Sequence, residues 1–174
     1  MADPLVIDTN ILWSFAVVDR VALLEVRFGD RLVWTDAVAE EIRRNLRVET
    51  RLGVVLDAAW LAPPVEFVAA DLQHIARIRD ILATPGEHPS KHLGEAESIY
   101  LIHDRLPEAT FVTDDQPAAD LARRRGLRVM GTLGLMQDCY AMGEIACPDA
   151  WELMREMERL GRCVYTPEHH SSVC

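Results

Sequence analysis

Apolar residues recur along the chain in two rhythms. Leu5-Val6-Ile7 is a short continuous apolar run that ends at Asp8. With no polar residue alternating, it predicts a strand buried on both faces, as in the middle of a parallel sheet. Arg31 to Trp34, Ala109 to Thr113 and Leu127 to Met130 predict three further strands. Between them the period is helical. Residues 10–28 read as one or two helices stopped at Gly29-Asp30, and Thr35 caps a helix through about Leu46. Leu52, Val55, Leu56 and Ala59 predict a helix over about 49–59, and Leu72, Ile75, Ile78 and Leu82 an amphipathic one over 70–83. Further helices are predicted over 94–105, 117–125, 132–143 and 148–161, with Gly126 and Gly161 as stops. Trp60 to Phe67, with Pro63-Pro64, is irregular or edge strand. Thr84 to His92 is a polar, mobile loop.

Strands alternating with helices predict an α/β fold on a parallel sheet with right-handed crossovers. The 174 residues suit one domain, and no repeat or linker divides them. No apolar run is long enough to span a membrane and the N-terminus lacks a signal-peptide layout, so a cytoplasmic protein is expected. Cys139, Cys147, Cys163 and Cys174 show no pairing motif and no ligand spacing with the histidines; free thiols are the simplest expectation. A net charge of −10 argues against a protein that simply coats nucleic acid, but not against an enzyme whose acids gather at one metal.

The acids change the picture. In open α/β sheets, ligands bind at the carboxyl ends of strands. Asp8 ends the first strand and Asp114-Asp115 follow the third. Glu40 and Glu41 lie two turns into the helix after strand two, and Glu95 and Glu97 open the helix after the long loop. Each has an ordinary explanation by itself. Asp8 is as good an N-cap as a ligand, Glu40 suits a helical pair with Arg43 or Arg44, and Glu95 suits a helix first turn. None of these explains why all fall where one cleft could gather them. Several carboxylates meeting there would raise one another's pKa unless a cation is bound. Mg²⁺ takes one or two carboxylates and completes its shell with water and phosphate.

Ile-Asp-Thr-Asn at 7–10, Ala-Glu-Glu-Ile at 39–42, Gly-Glu-Ala-Glu at 94–97 and Val-Thr-Asp-Asp at 112–115 resemble the four acidic motifs of PIN-domain nucleases. Gly126 to Gly134 resembles the closing strand-loop-helix of the branch that includes the VapC-type toxins. The resemblance covers residues 4 to about 145. It implies a three-layer α/β/α sandwich on four to five parallel strands. Residues 1–146 would be the nuclease domain and 147–174 a helix and tail packed on it. It implies RNA cleavage with Mg²⁺ or Mn²⁺, leaving 5′-phosphate and 3′-hydroxyl ends, with Asp8, Glu41, Glu95 and Asp115 as the catalytic acids. Asp8, Glu95, Asp114 and Asp115 would hold metal, and Thr9, Asn10, Thr113, Glu40 and Glu97 would support them. Glu41 is preferred to Glu40 because it directly precedes the apolar Ile42; Glu97 and Asp114 remain alternatives to Glu95 and Asp115. A small antitoxin and a homodimer are also implied.

Arg43, Arg44 and Arg47, with Arg51 if the helix runs on, are candidates for RNA contact. Aromatics for stacking bases are sparse; Trp13 and Phe15 read as core or partner surface. His88, His92, His103, His169 and His170 match no zinc pattern and read as loop, surface and tail residues. Two alternatives keep the fold: an RNA-processing nuclease, or a catalytically weak binding or regulatory protein. A phosphatase with an Asp-x-Asp nucleophile is weakened by Asn10.

Overall fold

The first apolar run becomes β1 (Leu5–Ile7), an inner strand of a four-stranded parallel sheet in the computed structural model, which describes residues 3–174. The others are β2 (Leu32–Val33), β3 (Thr110–Val112) and β4 (Arg128–Met130), in the order β2-β1-β3-β4. The chain leaves β1 for one neighbour and later returns on its other side. The strand order therefore reverses between β1 and β3, the place where open α/β sheets form a crevice. Register fixes what faces that crevice. Ile7 pairs with Val112, so Asp8 and Thr113 leave the sheet side by side.

Helices cover both faces. α1 (Thr9–Val17), α2 (Val21–Phe28), α3 (Asp36–Asn45) and the four-residue α4 (Gly53–Leu56) come first. α5 (Ala69–Leu82), α6 (Leu93–Asp104), α7 (Gln116–Arg124), α8 (Thr132–Ala141) and α9 (Cys147–Arg159) follow. Alternation along β1 sorts the core. Leu5 and Ile7 join Leu12, Phe15, Val38, Leu135 and Met154 on one face; Val6 joins Ile75, Ile99, Phe111 and Leu121 on the other. This is an α/β/α sandwich. Met154 and Met157 of α9 are fully buried in the first cluster, so the last helix adds core to it. Among the described residues, no helix is long and apolar enough to cross a membrane.

Three expectations need correction. The helix expected over 49–59 is a 3-10 turn (Thr50–Leu52) followed by α4. Glu49 accepts hydrogen bonds from the backbone and guanidinium of Arg51, and Arg51 also donates to the Val17 carbonyl. These bonds draw the segment toward α1. Arg51 therefore does not continue a face with Arg43 and Arg47, since α3 ends at Asn45. Residues 60–67 join the sheet only through the Thr35–Val65 bridge beside β2. Finally, Cys147 and Cys174 are a disulfide rather than two free thiols; Cys139 and Cys163 are free. The bond fastens the tail to the start of α9, with His170 Nδ1 3.4 Å from the Cys147 sulfur.

Candidate active site

Asp8 is the best-positioned acid. Its backbone N–H donates to the Val112 carbonyl, 3.0 Å away, which locks the end of β1 to β3. The carboxylate is 1% exposed. It accepts from the Thr9 N–H at 2.7 Å and from the Thr113 hydroxyl at 2.8 Å. It therefore caps α1 and also faces the crevice between β1 and β3; the two explanations of Asp8 are compatible. Burial drives its pKa well above the usual carboxylate range, and the charges of Glu95 and then Glu41 add to the rise.

Glu95 reaches the same place from α6. It is 9% exposed. Burial pushes its carboxyl up to about 7, with Glu41 and Asp115 adding like charge. Glu41 arrives from α3 and accepts from the Thr9 hydroxyl at 2.9 Å. A glycine lets α3 and α6 close: a Cβ on Gly94 would lie 3.1 Å from a Val38 methyl and 3.8 Å from the Glu41 carboxylate. Glu40, one residue earlier, is exposed and paired with Arg43.

The strand-end pair divides its work. Asp115 caps α7 through one oxygen, which accepts from the Ala118 N–H at 2.8 Å, and its own N–H donates to the Thr113 hydroxyl. Asp114 turns to the start of α8 and spends both oxygens on the Thr132 N–H and hydroxyl, at 2.9 and 2.6 Å. Burial raises its pKa, and the Thr132 bonds oppose the rise. Gly131 makes room for this turn, since a Cβ there would meet an Asp114 oxygen at 2.5 Å. Glu97 faces another way: it accepts from the Ala37 N–H at 3.0 Å and so satisfies the first turn of α3. Burial is the main cause of its raised pKa.

Asp8, Glu41, Glu95 and Asp115 thus share one electrostatic neighbourhood, with Asp114 at its edge and Glu40 and Glu97 outside it. The neighbourhood is looser than a closed metal cage. Among the described residues, the only set of three or more His, Cys or acidic groups whose ligand atoms all lie within 4.8 Å of one another is Cys147, His170 and Cys174.

A family model described as a PIN domain matches residues 4–173. The chain belongs to the PIN-domain family. No curated protein and no solved structure matches it. PIN domains are generally metal-dependent nucleases, and the match runs through α9 into the tail.

Within this PIN domain, two residues near the acids escaped the sequence reading. His92, taken for a loop residue, has its ring wedged between two acids, with Nε2 3.4 Å from Glu87 and Nδ1 3.4 Å from Glu95. Its Nδ1 is buried and has no hydrogen-bond partner. Its backbone is left-handed, at φ 62°, which turns the loop into α6. Helix-start spacing placed Glu95 but carried no sign of that turn. Arg162, beyond the end of α9, sends Nη2 to the Asn10 side-chain oxygen at 3.2 Å and stacks on Trp13, its Cζ 4.4 Å from the ring centre. Burial lowers its pKa, while the charges of Cys163, Glu41, Asp114 and Glu49 oppose that. No sequence signal joins Arg162 to Asn10 across 152 positions. Arg43, Arg44 and Arg47 are exposed along α3 and just beyond it.

Proposed function

We propose that this PIN domain is a Mg²⁺- or Mn²⁺-dependent endoribonuclease, the toxin of a toxin–antitoxin pair. The observation that carries the reading is the gathering of two buried acids, Asp8 and Glu95, with Glu41 and Asp115 beside them at the reversal of strand order, where burial first and neighbouring like charge second raise both pKa values. Burial and neighbouring acids push Glu95 up to about 7, a rise that a bound cation would offset, and hard carboxylate oxygens suit Mg²⁺ and Mn²⁺. An arrangement in which no three of the described acids close within 4.8 Å fits an ion that keeps several waters. Asp8, Glu95 and Asp115 would hold it, with Asp114 less able because both its oxygens are spent. When bound, the ion supplies Lewis acidity for attack of water on a phosphodiester.

The chain's own groups do the positioning. Thr113 holds one oxygen of Asp8 and the N–H of Asp115, so the two acids move together. Thr9 holds Asp8 by its backbone and Glu41 by its hydroxyl. Asn10 orients Arg162. Arg43, Arg44 and Arg47 can contact RNA backbone along the exposed side of α3. The test uses purified protein and labelled RNA in Mn²⁺. Cleavage should disappear with Asp8→Asn; an undiminished variant ends the assignment. Expression should arrest growth, and Asp8→Asn should relieve it. Cleavage without arrest favours RNA processing. An antitoxin and a homodimer belong to this reading through family likeness.

That no three of the described acids bring their oxygens within 4.8 Å of one another favours one alternative, a PIN-fold binding protein without catalysis. Thermal unfolding separates the two, because an ion bound by the native state raises the melting temperature. No shift in Mn²⁺ favours the binder.

A further inference from the structure

At Asp114, on the edge of the site, lies a groove of about 500 Å³ lined by Asp114, Gln116, Cys163, Val164 and Tyr165, the last three following Arg162 directly in the chain. One wall follows the end of β3 and the other is the extended segment after α9. In that segment Val164 is buried in the core, Arg162 is half-buried, and Cys163 and Tyr165 are exposed. We infer that residues 162–165 form a subsite for single-stranded RNA, in which Arg162 takes a backbone phosphate and the Tyr165 ring stacks a base. The inference rests on the nuclease reading and adds Arg162 and Tyr165 of the tail to the residues that would hold its substrate.

The unused donors of Arg162 carry the phosphate half. A guanidinium has five N–H donors. Among the described residues, that of Arg162 makes one hydrogen bond, to a neutral amide, and no ion pair. Its Nε is buried without a partner. A counter-ion for the acids would sit in contact with one of them. Arg162 instead stands among Glu41, Asp114 and Glu49, held by Asn10 and the Trp13 face, with its fork unfilled. A phosphate fills such a fork with paired, charge-assisted hydrogen bonds. Asn10 is two residues from Asp8, so a phosphate held there lies beside the reacting centre.

Tyr165 carries the base half. It is 70% exposed. Unpaired bases stack on such rings, and a groove of this size lies within the ~300–1,000 Å³ typical of small-ligand clefts. A duplex buries its base faces and gains nothing from the ring.

The test uses the full chain carrying Asp8→Asn, which binds without cutting, and a fluorescein-labelled single-stranded oligoadenylate. Tyr165→Ala should weaken binding about tenfold, the usual loss for one stacked base. Arg162→Ala should weaken it and lower the slope of log K against log salt by about 0.7, one phosphate contact on a single strand. Arg162→Lys should restore that slope without full affinity. Melting curves confirm that each variant is folded, and the exposed Tyr165 ring keeps the test open if Arg162→Ala is not. Unchanged binding in both positions overturns the subsite. Tighter binding by Arg162→Ala also overturns it, because Arg162 is then a plug against the acids. If the parent protein cuts RNA in Mn²⁺ while the variants bind unchanged, only the subsite falls. If the parent neither binds nor cuts, the nuclease reading falls too.

Discussion

Two sets of buried acids lie on α5, α6 and the sheet edge, and their surroundings push them in opposite directions. Asp71 on α5 accepts from the Tyr100 hydroxyl at 2.8 Å, from the Val68 N–H at 3.0 Å and from Arg105 at 2.6 Å. The Tyr100 bond, more than any other contact, lowers its pKa, and the same bond lifts the Tyr100 hydroxyl to about 12. The Asp8–Glu95 set has hydroxyl and N–H donors and, as its basic neighbours, only the His92 ring 3.4 Å from Glu95 and the more distant Lys91; burial outweighs them and its pKa values rise. One set is complete as folded; the other is held by the fold in a state that a cation would relieve. Burial of acids is common to both. The difference teaches that a functional site is better marked by unmet charge than by burial.

The largest expected effect breaks the comparison at its centre. Asp8→Asn should lower RNA cleavage by about 1,000-fold, or ~4 kcal/mol of transition-state stabilisation. Asp71→Asn should leave the cleavage rate close to that of the parent. It should lower the melting temperature instead, because Arg105 and Tyr100 lose the charge they share. Cleavage assays and thermal unfolding on the two variants read both halves. Equal loss of cleavage in both would mean that the two acid sets do not differ in function.

Titration gives the next effect. A raised pKa favours the folded state while the group is protonated in it, so the contribution of Glu95 is full below its unfolded value. It is lost as pH rises through about 7, amounting to roughly 3 kcal/mol. Metal-free protein should therefore lose stability between about pH 5 and 8, and Mn²⁺ should restore it. Glu95→Gln should flatten that loss. Asp71 has the opposite sign. Its lowered pKa stabilises the fold above the ordinary Asp value, and that contribution disappears only as acid reaches the lowered value. Melting temperatures across pH, with and without Mn²⁺, separate the two. A metal-free stability that rises toward pH 8 would reverse the assignment for Glu95.

The tail supplies a smaller effect on stability. Cys174→Ser opens a loop across a sequence separation of 27, for which chain entropy suggests up to about 3.5 kcal/mol. Less is expected here, since α9 holds its own core residues and only the tail is released. Reduction of the parent should reproduce the variant's melting temperature. A parent that melts identically with and without reductant would mean that the bond does not restrain the tail.

The strands and the acids at their ends were legible in the sequence because buried parallel strands are unbroken apolar runs. Asp8 and Asp114-Asp115 could be placed by following Leu5-Val6-Ile7 and Phe111-Val112 to their ends. Choosing within a pair was harder. Asp114 and Asp115 differ by which helix start each satisfies, and that depends on where Gly131 and Thr132 come to rest. Arg162 and the Cys147–Cys174 bond depend on how the tail crosses α9, and no period in the chain records that path. His92 was missed for a related reason: a polar loop residue says nothing of two acids that close on it in space.

The smallest expected effect sharpens the comparison to neighbouring residues. Glu40 and Glu41 differ by one position on α3, and so by about 100° around the helix. Glu40 points to solvent and pairs with Arg43 at helical spacing, an exposed interaction worth at most about 0.5 kcal/mol. Glu41 points to the crevice, accepts from Thr9 and adds like charge to Asp8 and Glu95. Glu40→Gln should therefore change cleavage less than about twofold, whereas Glu41→Gln should weaken it clearly and make Mn²⁺ dependence steeper. Both variants keep nearly the same side-chain volume, so folding should not separate them. A larger loss from Glu40→Gln than from Glu41→Gln would place the working face of α3 on its solvent side. The acids of the crevice would then be a structural cluster, no different in kind from the one around Asp71.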